Sequence, residues 1–449
     1  MNKTVGCSIV SILAISNVYA AQDLSSMFSE GKASGQIRIF YLDREYQGSA
    51  GNDIHRDSFA IGGHLKYETA TYEGLSLAAA FYTTNKIDTQ QHGVSDPSLL
   101  GTDGDSYSIL GEAYVHYDFA QFGTKTKLKL GYQRYDTPML GSDDARMIPN
   151  TFQAYKLTND DVENFDFQLA QVTRIAYGTF SNIYSGGMLA ATSGYPINGN
   201  IDTGEYTNLG EAAVGKNTNG ITNMQVAYKN ESLYAKVSND YAWDLYNTLY
   251  LEAGISSKGF LGTTLKPFIA AQAIKQDSVG DDYMQHSTLG GDGEIDSIYW
   301  ALKAGAKYAG ISAYIAYSQT GENDAGENPY KNAILTQFGG MPAFTQGMVT
   351  RHQFLAGTDA TKVAASYSFK EHGFNLSTAA YYASFDMDKN SGYGVSRTAY
   401  EPGFDIKYYP AAIKNLQLRF RGNFPRKFAE GTSGNIGWDE YRLIANYNF

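Results

Sequence analysis

Long stretches of this sequence alternate, residue by residue, between apolar side chains and small or polar ones. In the stretch 59–67, Ile61 and Leu65 share one parity, and His64 and Lys66 share the other. A period of two indicates β-strands whose two faces meet different surroundings. A soluble β-sandwich would keep its outward faces polar, whereas these strands need an apolar environment outside. The pattern therefore predicts strands that cross a membrane with one face toward lipid.

The alternating stretches recur about eighteen times, an even number, as expected for a single-chain bacterial barrel. We predict strands near 36–39, 59–67, 75–83, 107–119, 127–133, 151–158, 164–175, 221–228, 232–242, 247–257, 263–273, 294–307, 311–319, 361–369, 374–384, 399–409, 415–423 and 438–449. Within the stretch 107–119, the alternation places one set of residues on a single face: Ile109, Gly111, Ala113, Val115 and Tyr117.

Long polar connections alternate with short turns along the chain. The long ones lie near 45–57, 85–105, 135–150, 176–220, 275–293, 320–360 and 424–437, and the one near 243–246 is short. One rim with short turns and one with long loops is typical of outer-membrane barrels. The predicted fold class is therefore all-β, a transmembrane antiparallel β-barrel of about 18 strands with short periplasmic turns and long extracellular loops. Closure removes the exposed edges of so long a sheet.

The two ends of the chain carry export signals. Lys3, an apolar stretch at 5–15 and small residues up to Ala20 predict a signal peptide at 1–20, which leaves a barrel domain at 21–449. The apolar stretch is too short for a membrane-spanning helix. The last strand alternates to a terminal aromatic residue, a pattern similar to the one that the barrel-assembly machinery recognises, with Tyr441, Leu443, Ala445, Tyr447 and Phe449 on one parity.

Composition excludes several other classes of function. The only cysteine, Cys7, leaves with the signal peptide, so a disulfide framework and a cysteine nucleophile are excluded. The net charge of −11 argues against a nucleic-acid partner. The seven histidines form no zinc motif, and the acidic, glycine-rich segments 103–105 and 290–296 lack the full spacing of a calcium loop. We expect no metal and no cofactor.

One central block resembles the OprD family of substrate-selective bacterial porins. It begins with Gly131-Tyr132-Gln133-Arg134-Tyr135-Asp136-Thr137-Pro138 and continues with Ser142-Asp143-Asp144-Ala145-Arg146-Met147-Ile148-Pro149-Asn150-Thr151-Phe152. The resemblance implies that this segment is the third loop, which folds into the lumen and narrows the pore together with the seventh loop, here 320–360. The implied constriction residues are Asp136, Thr137, Pro138, Ser142, Asp143, Asp144 and Arg146.

Parity also predicts a basic strip on the lumen wall, because barrel closure brings the first and last strands together. Its members are Arg38, His64, Lys66, Lys407, Arg419, Arg421 and Arg442, and Lys127 and Lys129 mark a separate second patch. The resemblance implies an arginine ladder that leads carboxylates through the pore. Asp143 and Asp144 are expected to oppose the strip. The alternative is that these charges only hydrate a mixed wall, which also carries Glu112, Asp405 and Glu440.

These features predict an outer-membrane porin of a Gram-negative bacterium rather than an enzyme. It would allow passive, partly selective diffusion of small hydrophilic solutes and ions, including carboxylate-bearing ones such as amino acids or organic acids. Its partners would be outer-membrane lipid, the permeating solutes and the assembly machinery, and both a monomer and a homotrimer fit the sequence. Two alternatives are an outer-membrane barrel enzyme of the phospholipase or protease type, and an adhesion or structural surface barrel.

Overall fold

A computed structural model describes residues 21–47, 54–87, 95–181, 186–198, 202–259, 263–287, 289–393, 398–431 and 434–449. The predicted signal peptide at 1–20 lies outside the described residues, as do parts of several long connections.

Within these residues, eighteen long antiparallel strands form a closed barrel. They are β1 (Lys32–Gln47), β2 (Ile54–Glu68), β3 (Leu75–Lys86), β4 (Tyr107–Asp118), β5 (Lys127–Gln133), β6 (Thr151–Asn159), β7 (Phe165–Ala176), β9 (Ile221–Lys229), β10 (Leu233–Ala242), β11 (Tyr246–Ser256), β12 (Lys266–Ser278), β13 (Asp296–Tyr308), β14 (Ile311–Thr320), β15 (Thr358–Ser368), β16 (Leu376–Met387), β17 (Thr398–Tyr408), β18 (Leu416–Asn423) and β20 (Gly434–Asn448). The barrel closes because β1 pairs with β2 on one side and with β20 on the other. The predicted fold class is confirmed.

The remaining elements are not part of the eighteen-strand wall. Two short strands, β8 (Thr207–Asn208) and β19 (Ala429–Gly431), pair with the ends of β7 and β20. The α-helices are α1 (Leu24–Ser29), α2 (Gly187–Thr192) and α3 (Leu209–Val214), and the 3₁₀-helices are Pro97–Leu99, Phe119–Phe122, Tyr283–His286, His352–Phe354 and Phe369–His372. No helix in the described part of the chain is both long enough and apolar enough to span a bilayer.

The outer face of the barrel is apolar, as the alternation predicts. Leu65, Leu302 and Leu443, on three different strands, are 53–56% exposed. At the rim with short turns, aromatic rings pack in pairs, such as Tyr117 with Phe119, whose centroids are 4.7 Å apart. In a lipid bilayer this arrangement covers the hydrocarbon core with aliphatic side chains and places aromatic rings at the interface.

A β-bulge in β4 inverts the predicted alternation. The ladder between β3 and β4 shifts register at this point. Leu110 is 48% exposed on the outer face, whereas Ile109 is 7% exposed. The prediction that Ile109 and Gly111 share a face with Val115 is therefore wrong, because one inserted residue reverses the parity beyond it. An added Cβ at Gly111 would lie 2.7 Å from Cδ2 of Tyr82, so glycine suits the bulge.

The described residues of three long loops fold into the lumen and contact one another: the third loop (134–150), the fourth loop (within 177–220) and the seventh loop (321–357). The backbone N–H of Thr336 donates to the carbonyl of Ala191 at 2.8 Å, which joins the seventh loop to the fourth. The third and seventh loops meet at Gly141 and Gly340, where a Cβ on Gly141 would lie 2.4 Å from the Gly340 nitrogen. Such a close backbone approach requires glycine.

Candidate solute pathway

A cavity of about 480 Å³ lies in the lumen where these loops meet the wall. The third loop contributes Arg146 and the fourth contributes Phe180. The seventh contributes Ala343, Phe344, Gln346, Gly347, Met348 and Arg351. The wall contributes four cations and two tyrosines, namely Lys303, Tyr314, Lys362, Tyr381, Arg421 and Arg442. Six cations therefore surround the cavity, and no carboxylate is among its described lining residues.

Part of the predicted basic strip forms one side of this cavity. Arg421 on β18 and Arg442 on β20 are directly opposite each other in register. Arg442 donates through Nε to Glu440, and Nη2 of Arg146 lies 3.4 Å from the same carboxylate. Arg44 also binds Glu440, with Nη2 at 2.8 Å. Arg44 also pairs with Asp96 at 2.9 Å, so two carboxylates face three guanidinium groups and this side of the lumen keeps an excess of positive charge.

The rest of the strip on β17 and β18 gathers around Asp405. Nε of Arg419 donates to its Oδ1 at 2.7 Å, and Nζ of Lys407 lies 3.7 Å from Oδ2. Nε of Arg421 lies 4.0 Å from Oδ1 and makes no hydrogen bond with any described residue. The predicted residues of these two strands are thus contiguous, and Arg421 joins this group to the cavity.

Asp144 lies on the strip and does not oppose it as expected. Its carboxylate accepts from Arg38 Nη1 at 2.6 Å and lies 3.6 Å from Arg134 Nη1. Burial raises the pKa of Asp144, but these two guanidinium groups outweigh that effect and lower the pKa to about 2. The predicted transverse field between Asp144 and the strip is therefore wrong, because the third loop brings this carboxylate into contact with Arg38.

The other predicted constriction residues shape the third loop itself. Asp136 accepts from the Ser142 backbone N–H at 2.8 Å, and the hydroxyl of Thr137 accepts from the Leu140 N–H at 3.0 Å. The carbonyl of Pro138 lies at the glycine contact with the seventh loop. Asp143 also faces the seventh loop, since a Cβ on Gly339 would lie 2.7 Å from its Oδ2. These contacts fix the loop backbone.

The predicted basic strip and the predicted second patch meet at one tyrosine, Tyr114. Lys66 on β2 donates to the Tyr114 hydroxyl at 2.8 Å, and Lys129 on β5 lies 3.7 Å from the centroid of the same ring. The prediction of a separate second patch is therefore wrong for Lys129, because Lys129 and Lys66 contact the same inward-facing ring. Lys127 is exposed at the start of β5. His64 stacks on Tyr82 with ring centroids 5.0 Å apart.

Sequence reasoning missed three cations of the cavity. Lys303 and Lys362 face inward on β13 and β15, at the same height on either side of Ala316. Parity would have found both, since each shares the inward face of its strand. Arg351 lies in the seventh loop, where its Nη1 donates to the Ser193 carbonyl at 2.9 Å and its guanidinium covers the Phe180 ring at 4.5 Å. No sequence period places a loop residue.

A closed barrel with a lipid-facing outer wall, and with a cationic lumen that its own loops narrow, is the architecture of an outer-membrane porin.

Comparisons with known proteins identify the family. Residues 26–449 match the family described as outer membrane porin, OprD family. Porin D of Pseudomonas aeruginosa is 22% identical over 437 residues, which cover 92% of this chain and 89% of Porin D. The crystal structure of Pseudomonas aeruginosa OccK9 (OpdG) matches with a TM-score of 0.73 and 18% identity over 94% of this chain and 99% of OccK9. That of Pseudomonas aeruginosa OccK2 (OpdF) in complex with glucuronate matches with a TM-score of 0.70 and 16% identity, over 94% and 99% of the two chains.

The chain belongs to the OprD family of outer-membrane porins, and it allows small solutes to cross the outer membrane of a Gram-negative bacterium.

Proposed function

We propose that this porin prefers anions and that its solutes are small organic acids. The observation that carries the proposal is the cavity with six cations and no carboxylate among its described lining residues. A guanidinium group binds a carboxylate through two parallel hydrogen bonds, so arginines at a constriction attract such solutes strongly. Several cations along one path provide sites in series. Series sites favour passage over capture, provided that each site is weak.

Within the range from amino acids to organic acids, the geometry favours solutes without an ammonium group. Three wall carboxylates contact the residues that line the cavity, and each already has donors of its own. Glu440 binds arginines, Asp405 binds Arg419, and Glu401 accepts from the backbone of the seventh loop. An ammonium group in the cavity would meet cations and no free acceptor on these residues, so a zwitterion gains less than an anion.

The cavity also carries apolar ring surfaces. Phe180, Tyr314, Phe344 and Tyr381 line it beside the cations. Aromatic faces pack against the apolar face of a ring, which suits solutes that carry a carboxylate on a ring. The structure of OccK2 in complex with glucuronate, a ring carboxylate, supports the same class. We propose carboxylates of about this size as the solutes to test first.

The test combines two measurements on the purified, heat-modifiable barrel. In a planar bilayer under a salt gradient, the reversal potential should show preference for the anion. In liposome swelling, glucuronate and succinate should enter faster than glucose, and glucose faster than lysine. A bilayer that stays silent, or a reversal potential that shows cation preference, would contradict the proposal.

We propose that the chain transports without catalysis. One described serine–histidine contact could suggest a hydrolase, since Ser76 Oγ lies 3.4 Å from His116 Nδ1. However, Ser76 is only 3% exposed, which hides its hydroxyl from a substrate. A nucleophilic serine also needs an accessible hydroxyl and an oriented base. Ester and peptide turnover assays on the wild type and Ser76→Ala test this proposal, and activity that Ser76→Ala abolishes would overturn it.

We further propose that residues 1–20 are a cleaved signal peptide and that the last strand is an assembly signal. The outward parity of β20 supports the second proposal, since Leu443, Tyr447 and Phe449 are 39–53% exposed. N-terminal sequencing of the mature protein should begin at residue 21. Phe449→Asp should reduce insertion into the outer membrane without changing the amount synthesised, and normal insertion would contradict the assembly role.

A further inference from the structure

Glu401 on β17 is a fully buried carboxylate of the barrel wall, behind the residues that line the cavity. It accepts hydrogen bonds from three consecutive backbone N–H groups of the seventh loop: Met348 at 2.8 Å, Val349 at 3.2 Å and Thr350 at 2.6 Å. The Tyr381 hydroxyl also donates to it. Four donors converge on one carboxylate. Successive N–H groups that point at one anion form the type of backbone nest that proteins use for anion binding.

The chain segment 346–350 is shaped around this carboxylate. A Cβ on Gly347 would lie 2.9 Å from Glu401 Oε2, so an alanine would push the segment away. Lys362 on β15 donates to the carbonyl of Gln346 at 2.6 Å and lies at the same height as Glu401, two strands away. Three neighbouring strands of the wall, β15 to β17, therefore hold this short segment of the seventh loop.

The position of the segment decides the shape of the cavity. Gln346, Gly347 and Met348 line it directly, and Arg351 follows immediately in the chain. Arg351 reaches from there to the fourth loop, where it contacts Ser193. If the segment moves away from the wall, Arg351 moves with it, and the width of the cavity changes.

We propose that the seventh-loop segment 346–350 forms a carboxylate-binding site, that Glu401 occupies it permanently, and that this internal contact latches the loop against the wall. Glu401 is thus a positioning residue for the constriction. The site does not depend on which solute permeates, since its ligand is part of the chain. Removing the carboxylate should free the loop and leave the nest able to bind a small carboxylate from solution.

Single-channel recording of Glu401→Ala tests the proposal. The substitution removes a methylene and a carboxylate, the size of acetate. We expect the frequency of conductance steps to rise by about tenfold or more, because one charge-assisted hydrogen bond alone shifts an equilibrium by roughly that factor. Acetate in the bath should restore quiet traces, and chloride at the same ionic strength should not. Steps that acetate leaves unchanged would refute the carboxylate site.

Two further variants separate the latch from loss of charge and from misfolding. Glu112→Ala removes another buried lumenal carboxylate, which accepts a hydrogen bond from the Tyr82 hydroxyl at 2.7 Å and lies 3.8 Å from Nζ of Lys66 on the wall. Glu112→Ala should shift the reversal potential, but the frequency of its conductance steps should stay at the wild-type level. Gly347→Ala keeps every charge. It should raise the frequency of conductance steps without shifting the reversal potential, and acetate should not suppress these steps. If Glu401→Ala does not form a heat-modifiable barrel, Gly347→Ala decides, and quiet traces from it overturn the latch.

Discussion

Neutralising Arg421 is the most direct probe of the cationic cavity. Arg421 is only 9% exposed, yet its Nε lies 4.0 Å from Asp405 and makes no hydrogen bond with any described residue. Asp405 keeps Arg419 at 2.7 Å, so Arg421→Gln leaves no carboxylate without a cation. The substitution should therefore change the field in the cavity with little effect on folding.

The size of the effect follows from the cavity dimensions. A sphere with the cavity volume of about 480 Å³ has a radius of about 5 Å. A solute carboxylate at its centre then lies roughly 6 Å from the guanidinium charge, and their attraction is about 0.7 kcal/mol in bulk water and about 3 kcal/mol at an effective dielectric constant of 20. Because the lumen is open to water, we take about 1 kcal/mol, which is roughly a fivefold change in anion occupancy.

The assay is the reversal potential of Arg421→Gln in a salt gradient, compared with Lys258→Gln. Lys258 pairs with Glu231 outside the lumen, and both side chains are more than 70% exposed, so this variant loses the same charge away from the cavity. The permeability ratio of anion to cation should fall about fivefold at 0.1 M salt and much less at 1 M, where the Debye length is about 3 Å. Equal ratios in Arg421→Gln and Lys258→Gln would refute the reasoning.

Three further predictions follow from the wall and the third loop. Glu440→Gln removes the carboxylate that three guanidinium groups share, and should lower the free energy of unfolding by about 3–5 kcal/mol in urea titrations; a loss below 1 kcal/mol would count against the buried network. Leu302→Arg, at the middle of β13, should cost about 2–4 kcal/mol, whereas Tyr308→Arg at the end of the strand should cost about 1 kcal/mol or less; equal costs would contradict the lipid-facing assignment. Since the pKa of Asp144 is lowered to about 2, its contact with Arg38 stabilises the fold above about pH 4 and is lost as the pH falls toward 2; stability of Asp144→Asn relative to wild type should converge only in that range, and convergence near neutral pH would contradict the assignment.

The sequence predicts the wall because each strand carries its own signal. Alternation at Leu65 and His64, or at Leu443 and Arg442, needs no knowledge of the partner strand to assign a face. Where the period breaks, the prediction fails: one extra residue at Gly111 exchanges the faces of the positions on its two sides. A bulge is a property of a strand pair, so a single strand read alone does not reveal it.

The site is harder to predict because its residues meet across loops. Parity finds Arg421 and Arg442, and barrel closure explains why they are neighbours. The positions of Asp144 and Arg351 depend on how the third and seventh loops fold inward, which follows from glycine contacts and backbone hydrogen bonds with no period. The sequence thus identifies the charges of the wall and leaves the partners of the loop charges undetermined.

The distribution of the carboxylates explains how a chain with a net charge of −11 carries a cationic constriction. At 0.1 M salt the Debye length is about 10 Å, so the field of charges farther away than this is largely screened. A solute inside the pore therefore responds to the charged groups immediately around it. There, Glu440 is shared by three guanidinium groups and Glu401 is bound to the backbone of the seventh loop. The lumenal carboxylates therefore hold arginines and a loop in place, and the unmatched positive charge faces the cavity. Selectivity in this porin depends on which charges have partners, and only secondarily on how many there are.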